Sequence, residues 1–245
     1  MSRAGSMWTY NVTRRLLKAS GYKPLPESIP VDDQVAIQDS MKQDPGKKGV
    51  FCFKTHRRIE PIAPGMKIIC PYRDVRDAMY SYMKFMKCPF DRALLAARGM
   101  MENTDYYLQR RAPNILPLRY DEIVNTPERA VSKVSVFLQL NVSDPVVREV
   151  AEAFSRSRMK KYLKGLDSVK VDEASKLQSE ALASRYATVP RFDGSHRIYD
   201  QTTGFQSNHI TTGKEGEWRI QLESQQQKAL MELATPWLRK YGFPL

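Results

Sequence analysis

Apolar positions recur along this chain at two periods, one near 3.6 residues and one in short continuous runs, and their alternation predicts the layout. After Gly5, the residues Trp8, Val12, Leu16 and Ala19 fall at helical spacing, while Asn11, Arg14, Arg15 and Lys18 point elsewhere. A first helix is therefore expected directly after the opening loop. Residues 22–48 are rich in Pro, Lys and Asp and are expected to wrap the surface, with a short helix near 33–41. Residues 49–54 read as a short buried strand, and 66–72, after the 61–65 turn, as a second one. That second strand leads into a helix on which Ala78, Met79, Tyr82, Phe85 and Met86 are spaced along one face. Residues 89–111 read as one long helix and 114–120 as a further strand. Pro127 opens an amphipathic helix carrying Ala130, Val131, Val134, Phe137 and Leu138, and 144–154 form another. Residues 169–205 are polar and loop-rich around a helix expected at 172–186, the composition of a lid. The chain closes with a helix over 222–241 that buries Leu222, Leu230, Leu233 and Trp237 and is expected to kink at Pro236.

Strands alternating with helices predict an α/β fold with a central parallel sheet flanked by helices. With 245 residues and no internal repeat, a single domain over 1–245 is expected. A hydrophobic share of 42% against 27% charged residues is that of a soluble globular chain. No apolar run approaches the roughly 18 residues of a membrane-spanning helix. The first stretch carries Arg3, Arg14, Arg15 and Lys18, which is not a signal peptide, so a cytoplasmic protein without membrane insertion is expected. Cys52, Cys70 and Cys88 lack metal-ligand spacing and are expected to be buried free thiols in a reducing compartment. A net charge of +12 predicts an anionic ligand. Charge alone leaves nucleic acid, nucleotide, acidic sugar and membrane surface open.

Candidate chemistry clusters in a few segments. Ser2-Arg3-Ala4-Gly5-Ser6-Met7-Trp8 is a short loop feeding a helix N-terminus, where unpaired backbone N–H groups suit a phosphate or sulfate. An ordinary helix start reads the same way, and the Walker A pattern is absent. His56 stands at the end of the 49–54 strand, placed to act as a general base, with Lys54 expected on the same strand face. A solvated histidine fits that position equally. Arg73 follows the second strand and Ser81 lies about two helical turns further on, so a guanidinium and a hydroxyl could share one anion. An incidental helix-start charge cluster is the plainer alternative. Residues 156–164 hold five cations and no acid, either a solvated face or an anion lining. Thr211-Thr212-Gly213-Lys214-Glu215-Gly216-Glu217-Trp218-Arg219 is a glycine-paired cationic loop, or a surface turn over a buried Trp.

Taken together these segments resemble the sulfotransferases that use 3′-phosphoadenosine-5′-phosphosulfate (PAPS), in particular the soluble type with a histidine base. The family loop K/R-S-G-T/S-T-x-W is matched over Arg3 to Trp8, and K-T-H by Lys54-Thr55-His56. The signature Y-R-x-x-x-D-x-x-x-S-Y is matched by Tyr72, Arg73, Asp77, Ser81 and Tyr82. The late G-x-x-G-x-W-K/R loop is matched by Gly213, Gly216, Trp218 and Arg219. Arg119-Tyr120-Asp121-Glu122 is similar to the family's R-Y-E-D-L segment.

The resemblance implies a P-loop-like nucleotide-binding fold and transfer of a sulfuryl group from PAPS to an acceptor hydroxyl or amine, with adenosine 3′,5′-bisphosphate (PAP) as product and no metal. It implies His56 as general base, with Lys54 and Arg3 beside the transferred sulfonate and leaving oxygen. Arg3, Ala4, Gly5, Ser6, Met7 and Trp8 would hold the donor's 5′ end and adenine, with Tyr120. Arg73 and Ser81 would hold the 3′-phosphate, closed over by Gly213 and Lys214. The family places a strand before its first loop, so either that strand is expected to lie upstream of residue 1 or the chain is expected to be truncated there. A small-molecule or saccharide acceptor and no specific nucleic acid are expected. A basic nucleotide- or polyanion-binding protein without turnover and a small-molecule kinase are the alternatives.

Overall fold

In the computed structural model, which describes residues 1–27, 44–167, 185–210 and 215–245, the strands pair two by two. In chain order the elements begin α1 (Ser6–Ala19), β1 (Lys23–Leu25), β2 (Gly49–Phe51), β3 (Ile68–Tyr72), α2 (Val75–Met86) and α3 (Phe90–Leu108). They continue with β4 (Ile115–Arg119), α4 (Tyr120–Asn125), α5 (Pro127–Leu138), α6 (Asp144–Ala153) and α7 (Arg156–Asp167). The last are β5 (Tyr186–Pro190), β6 (His196–Asp200), α8 (Trp218–Gln221) and α9 (Ser224–Tyr241). β1 with β2 and β3 with β4 run parallel, as the α/β alternation predicts, while β5 and β6 form an antiparallel hairpin. The chain divides into two compact units, one of Met1–Ser6, His56–Asp121 and Thr211–Leu245, the other of Met7–Thr55 and Glu122–Ile210.

The first unit is built on β3 and β4, whose ladder runs in register from Ile68 opposite Ile115 to Tyr72 opposite Arg119. Pro71 and Pro117 sit inside these strands, which a ladder tolerates where their missing N–H groups face away from a partner. Asp74 caps α2 by accepting the Arg76 N–H at 2.8 Å, and Lys87 ends it in the left-handed region. Val75, Ala78, Met79 and Phe85 of α2 are buried with Ala93 and Ala97 of α3 and Leu230, Ala234, Trp237 and Leu238 of α9. α9 runs through Pro236 as one helix, its first turn closed by a Glu223–Gln226 capping box. Arg76, 1% exposed, pairs with Asp74 and lies 5.0 Å over the Trp218 ring, so this helix-start charge cluster is a structural one.

The second unit gathers Met7, Tyr10, Leu17, Cys52, Leu163, Leu166, Ile198, Tyr199 and Phe205 into its core. Three expectations change here. Lys23–Leu25, expected as a surface wrap, is a strand, because Lys23 N–H reaches Lys48 O at 2.8 Å and Cys52 N–H reaches Leu25 O at 2.8 Å. The strand expected over 49–54 ends at Phe51, since its partner is only three residues long. Tyr186 to Asp200 is a hairpin in place of a lid loop. Its buried carboxylate is satisfied: Asp200, fully buried, accepts from Thr202 N–H (2.7 Å), Arg185 Nη2 (3.1 Å) and the Tyr162 hydroxyl. The helices expected at 33–41 and over most of 172–186 lie outside the described residues.

Asn11 and Arg14 are buried although they lie off the apolar stripe of α1. Asn11 Nδ2 donates to Met7 O and to Thr203 O, each at 2.9 Å, and Arg14 donates to the Tyr10 hydroxyl and to Glu27 O. Hydrogen bonding thus offsets the desolvation of the polar positions.

Candidate functional site

The opening loop turns twice through the left-handed region, at Arg3 (φ 60°) and at Gly5 (φ 87°). Glycine adopts that conformation without penalty, but a side chain there is strained and persists only when its surroundings hold it. Arg3 is held three times. Its carbonyl accepts from Arg73 Nη1 at 3.3 Å, its Nε donates to Ser81 Oγ at 3.1 Å, and its guanidinium lies 4.2 Å over the Phe85 ring. Ala4 beside it is fully buried. Ser6 then opens α1, a 14-residue helix with no acidic side chain in its first turn, so the positive end of its dipole is not offset there.

Asp77 and Ser81, four residues apart on α2, share a face, and Arg73 stands just ahead of that helix, before its cap Asp74. Arg73 is buried and its guanidinium stacks 4.2 Å from the Tyr120 ring centre. Its Nη2 lies 3.4 Å from Asp77 Oδ2, and Asp77 Oδ1 accepts the Gly216 N–H at 2.9 Å. Burial pushes the Asp77 carboxyl above its ordinary value, although Arg73 and the Gly216 N–H pull it down. Of the candidate residues, Arg3, Arg73, Ser81 and Tyr120 are thus brought together within one unit. Asp77 and Phe85 complete the cluster; Asp77 is legible at helical spacing, whereas nothing in the sequence marks Phe85 as the platform for Arg3.

His56 is exposed and its backbone is fixed by α3. Asn103 Nδ2 donates to His56 O at 3.1 Å, and Asn103 Oδ1 accepts from Arg58 Nε at 3.2 Å. The Tyr107 hydroxyl donates to Arg57 O at 3.2 Å and accepts the Ile59 N–H at 2.8 Å. Sequence reasoning missed Asn103 and Tyr107, whose i, i+4 spacing on a helix carries no signal of the irregular 56–59 segment they support. Lys54 is half-buried in the irregular segment after β2, so the strand alternation expected to align it with His56 is not present.

Met7 is buried and Trp8 half-buried on α1. Gly213 and Lys214 lie outside the described residues. The rest of that loop turns at Gly216 (φ 74°) and enters α8, where Trp218 is 4% exposed with Arg219 4.6 Å over its ring. Among the described residues no cluster of His, Cys, Asp and Glu could hold a metal ion, and no helix is long and apolar enough to cross a membrane.

The sulfotransferase domain family matches residues 3–181. Among solved structures, the mouse sulfotransferase SULT7A1 complexed with PAP aligns over 97% of this chain and 81% of its own, at 16% identity and a TM-score of 0.64. Retinol dehydratase in complex with androsterone and inactive cofactor PAP aligns over 96% of this chain and 78% of its own, at 15% identity and a TM-score of 0.61. No curated protein matches the sequence. Both structures share the α/β architecture described above.

Proposed function

The chain belongs to the sulfotransferase family, and we propose on that basis that it moves a sulfuryl group from PAPS to an acceptor hydroxyl or amine and releases PAP. The observation that carries the reading is the convergence of Arg3, Arg73 and Ser81, which places two guanidiniums and a hydroxyl side by side for the anionic groups of the donor. Arg73 and Ser81 hold the donor's 3′-phosphate, and Tyr120, already stacked on Arg73, and Trp8 meet the adenine. Ala4, Gly5, Ser6 and Met7 present backbone N–H groups at the start of α1 to the 5′-phosphosulfate. Gly213 and Lys214 close over the 3′-phosphate.

Sulfuryl transfer, like phosphoryl transfer, has a loose in-line transition state, so most of the catalysis is positioning and charge stabilisation. The S–O bond to the bridging phosphate oxygen breaks as the acceptor oxygen or nitrogen bonds to sulfur. Negative charge grows on that bridging oxygen, where Arg3 and Lys54 stabilise it. The proton leaving the acceptor passes to the neutral imidazole of His56, whose exposed position admits an acceptor. Arg3 gives up its bond to Ser81 as the donor enters, exchanging one acceptor oxygen for another. The acceptor is a small molecule or a saccharide, and the compartment is a reducing one, in line with three buried free thiols.

Incubation with radiolabelled PAPS and a panel of hydroxyl and amine acceptors tests the reading. The wild-type chain is expected to transfer label. His56→Ala is expected to lose at least about 100-fold in turnover while keeping its affinity for PAP. Equal turnover in both proteins would remove His56 from the mechanism, and PAP binding without transfer to any acceptor would favour a binding module.

A further inference from the structure

One carboxylate in the first unit links Arg73 of the proposed donor site to a glycine turn far away in sequence. Asp77 uses its oxygens separately, Oδ1 for the Gly216 N–H at 2.9 Å and Oδ2 for Arg73 Nη2 at 3.4 Å. The side chains of Arg73 and Asp77 are each 9% exposed, so the pair is largely removed from water. At 3.4 Å the ion pair is longer than the 2.7–2.9 Å of a fully formed charged hydrogen bond. The guanidinium is therefore oriented by Asp77 without being saturated by it. Its other fixings are the Arg3 carbonyl on Nη1 and the Tyr120 ring against its face. Gly216 takes up the shared amide at φ 74°, a conformation open to glycine, and a Cβ built there would stand 3.0 Å from Arg219 Nη1. A side chain at residue 216 would strain the conformation that presents this N–H to Asp77.

We infer that Asp77 is a positioning residue: by holding the Gly216 amide and the Arg73 guanidinium on one carboxylate, it couples the turn at residues 215–217 to the group that binds the donor's 3′-phosphate. The inference rests on the donor-site reading given above. Arg73 then meets the 3′-phosphate already oriented, and the loop carrying residues 215–217 is held against the same helix before the donor arrives. Burial makes the Asp77 charge costly unless both partners are in place, so displacing the loop and displacing Arg73 are coupled changes.

Asp77→Ala and Asp77→Asn, titrated calorimetrically with PAP and with ADP, separate this role from a purely structural one. Asp77→Asn keeps the shape and an oxygen for Gly216 but removes the charge that orients Arg73. Both variants are expected to lose about 10-fold or more in PAP affinity with ADP affinity unchanged, because ADP has no 3′-phosphate. Hydrogen exchange at the 215–217 amides, measured without nucleotide, is expected to accelerate in Asp77→Ala and much less in Asp77→Asn. Equal losses for PAP and ADP, or no loss, would overturn the positioning role, and unchanged exchange in Asp77→Ala would overturn the tie to the loop. If the wild-type chain binds PAP no better than ADP, the donor-site reading fails and the coupling with it; accelerated exchange in Asp77→Ala would then mark the contact as structural only.

Discussion

Arg3 Nε donates to Ser81 Oγ at 3.1 Å, joining the opening loop to a helix 78 residues further along the chain. The hydroxyl that fixes the loop is also the one proposed to meet the 3′-phosphate, so loop position and phosphate binding share an atom. Ser81→Ala is expected to weaken PAP binding about tenfold, the worth of one hydrogen bond to a charged group, and to leave ADP binding unchanged. Paired calorimetric titrations check it, with a thermal melt to show that the half-buried site still folds.

Gly5 turns the loop at φ 87°, where an alanine costs about 1–2 kcal/mol. Gly5→Ala is expected to lower both thermal stability and PAP affinity, since relaxing the strain moves the N–H groups at the start of α1. Gly21, at φ 80° with open space around its Cβ direction, supplies the control. Gly21→Ala carries a similar backbone strain and is expected to lower stability alone. Equal effects of the two substitutions on PAP affinity would detach Gly5 from the site.

The second unit carries its own pH dependence at Asp200. Burial pushes this carboxyl up, but hydrogen bonds from Thr202 and Tyr162 and the Arg185 charge outweigh it, and the net shift is downward. A carboxylate held below its ordinary value contributes stability above the unfolded value of about 4, and that contribution is lost as pH falls through the folded value. Asp200→Asn is expected to cost about 3 kcal/mol at neutral pH, because it breaks a buried charged network. The gap in melting temperature between the two proteins is expected to narrow as pH falls below about 4. The same network pushes the Tyr162 hydroxyl up to about 12, mainly by burial and then by the Asp200 bond.

Burial pushes the Cys52 thiol up to about 12, against a smaller pull from Arg14, and raises Cys70 and Cys88 as well. At pH 8 the Cys52 thiolate is then about one part in ten thousand, too little to react. A chromogenic disulfide reagent is expected to find no rapidly reacting thiol in the native chain and three after unfolding. A fast native phase would show that one of these sites opens.

The parallel pair β3–β4 and the helices α2, α3, α5, α6 and α9 were legible because their apolar runs are bounded by Pro, Gly or a capping side chain. β1 was not, since Lys23-Pro24-Leu25 is a strand only through its partner at Gly49–Phe51. The β5–β6 hairpin was hidden for a different reason: it buries Asp200, and a carboxylate whose cost is met by Tyr162 and Arg185, far off in sequence, reads locally as loop. In the site, Asp77 and Ser81 lie on α2 and Arg73 just ahead of it, so their spacing is local and could be read directly. The contacts of Arg3 with Ser81 and Phe85, and of Asn103 with His56, join residues about 45 or more apart and exist only in the fold.

The central claim is the donor site, and calorimetric titration of the wild-type chain with PAP, using ADP as the control, tests it most directly. Saturable binding that depends on the 3′-phosphate is the expected result. Equal affinity for PAP and ADP, or no binding of either, would contradict the assignment of Arg73 and Ser81 to the 3′-phosphate.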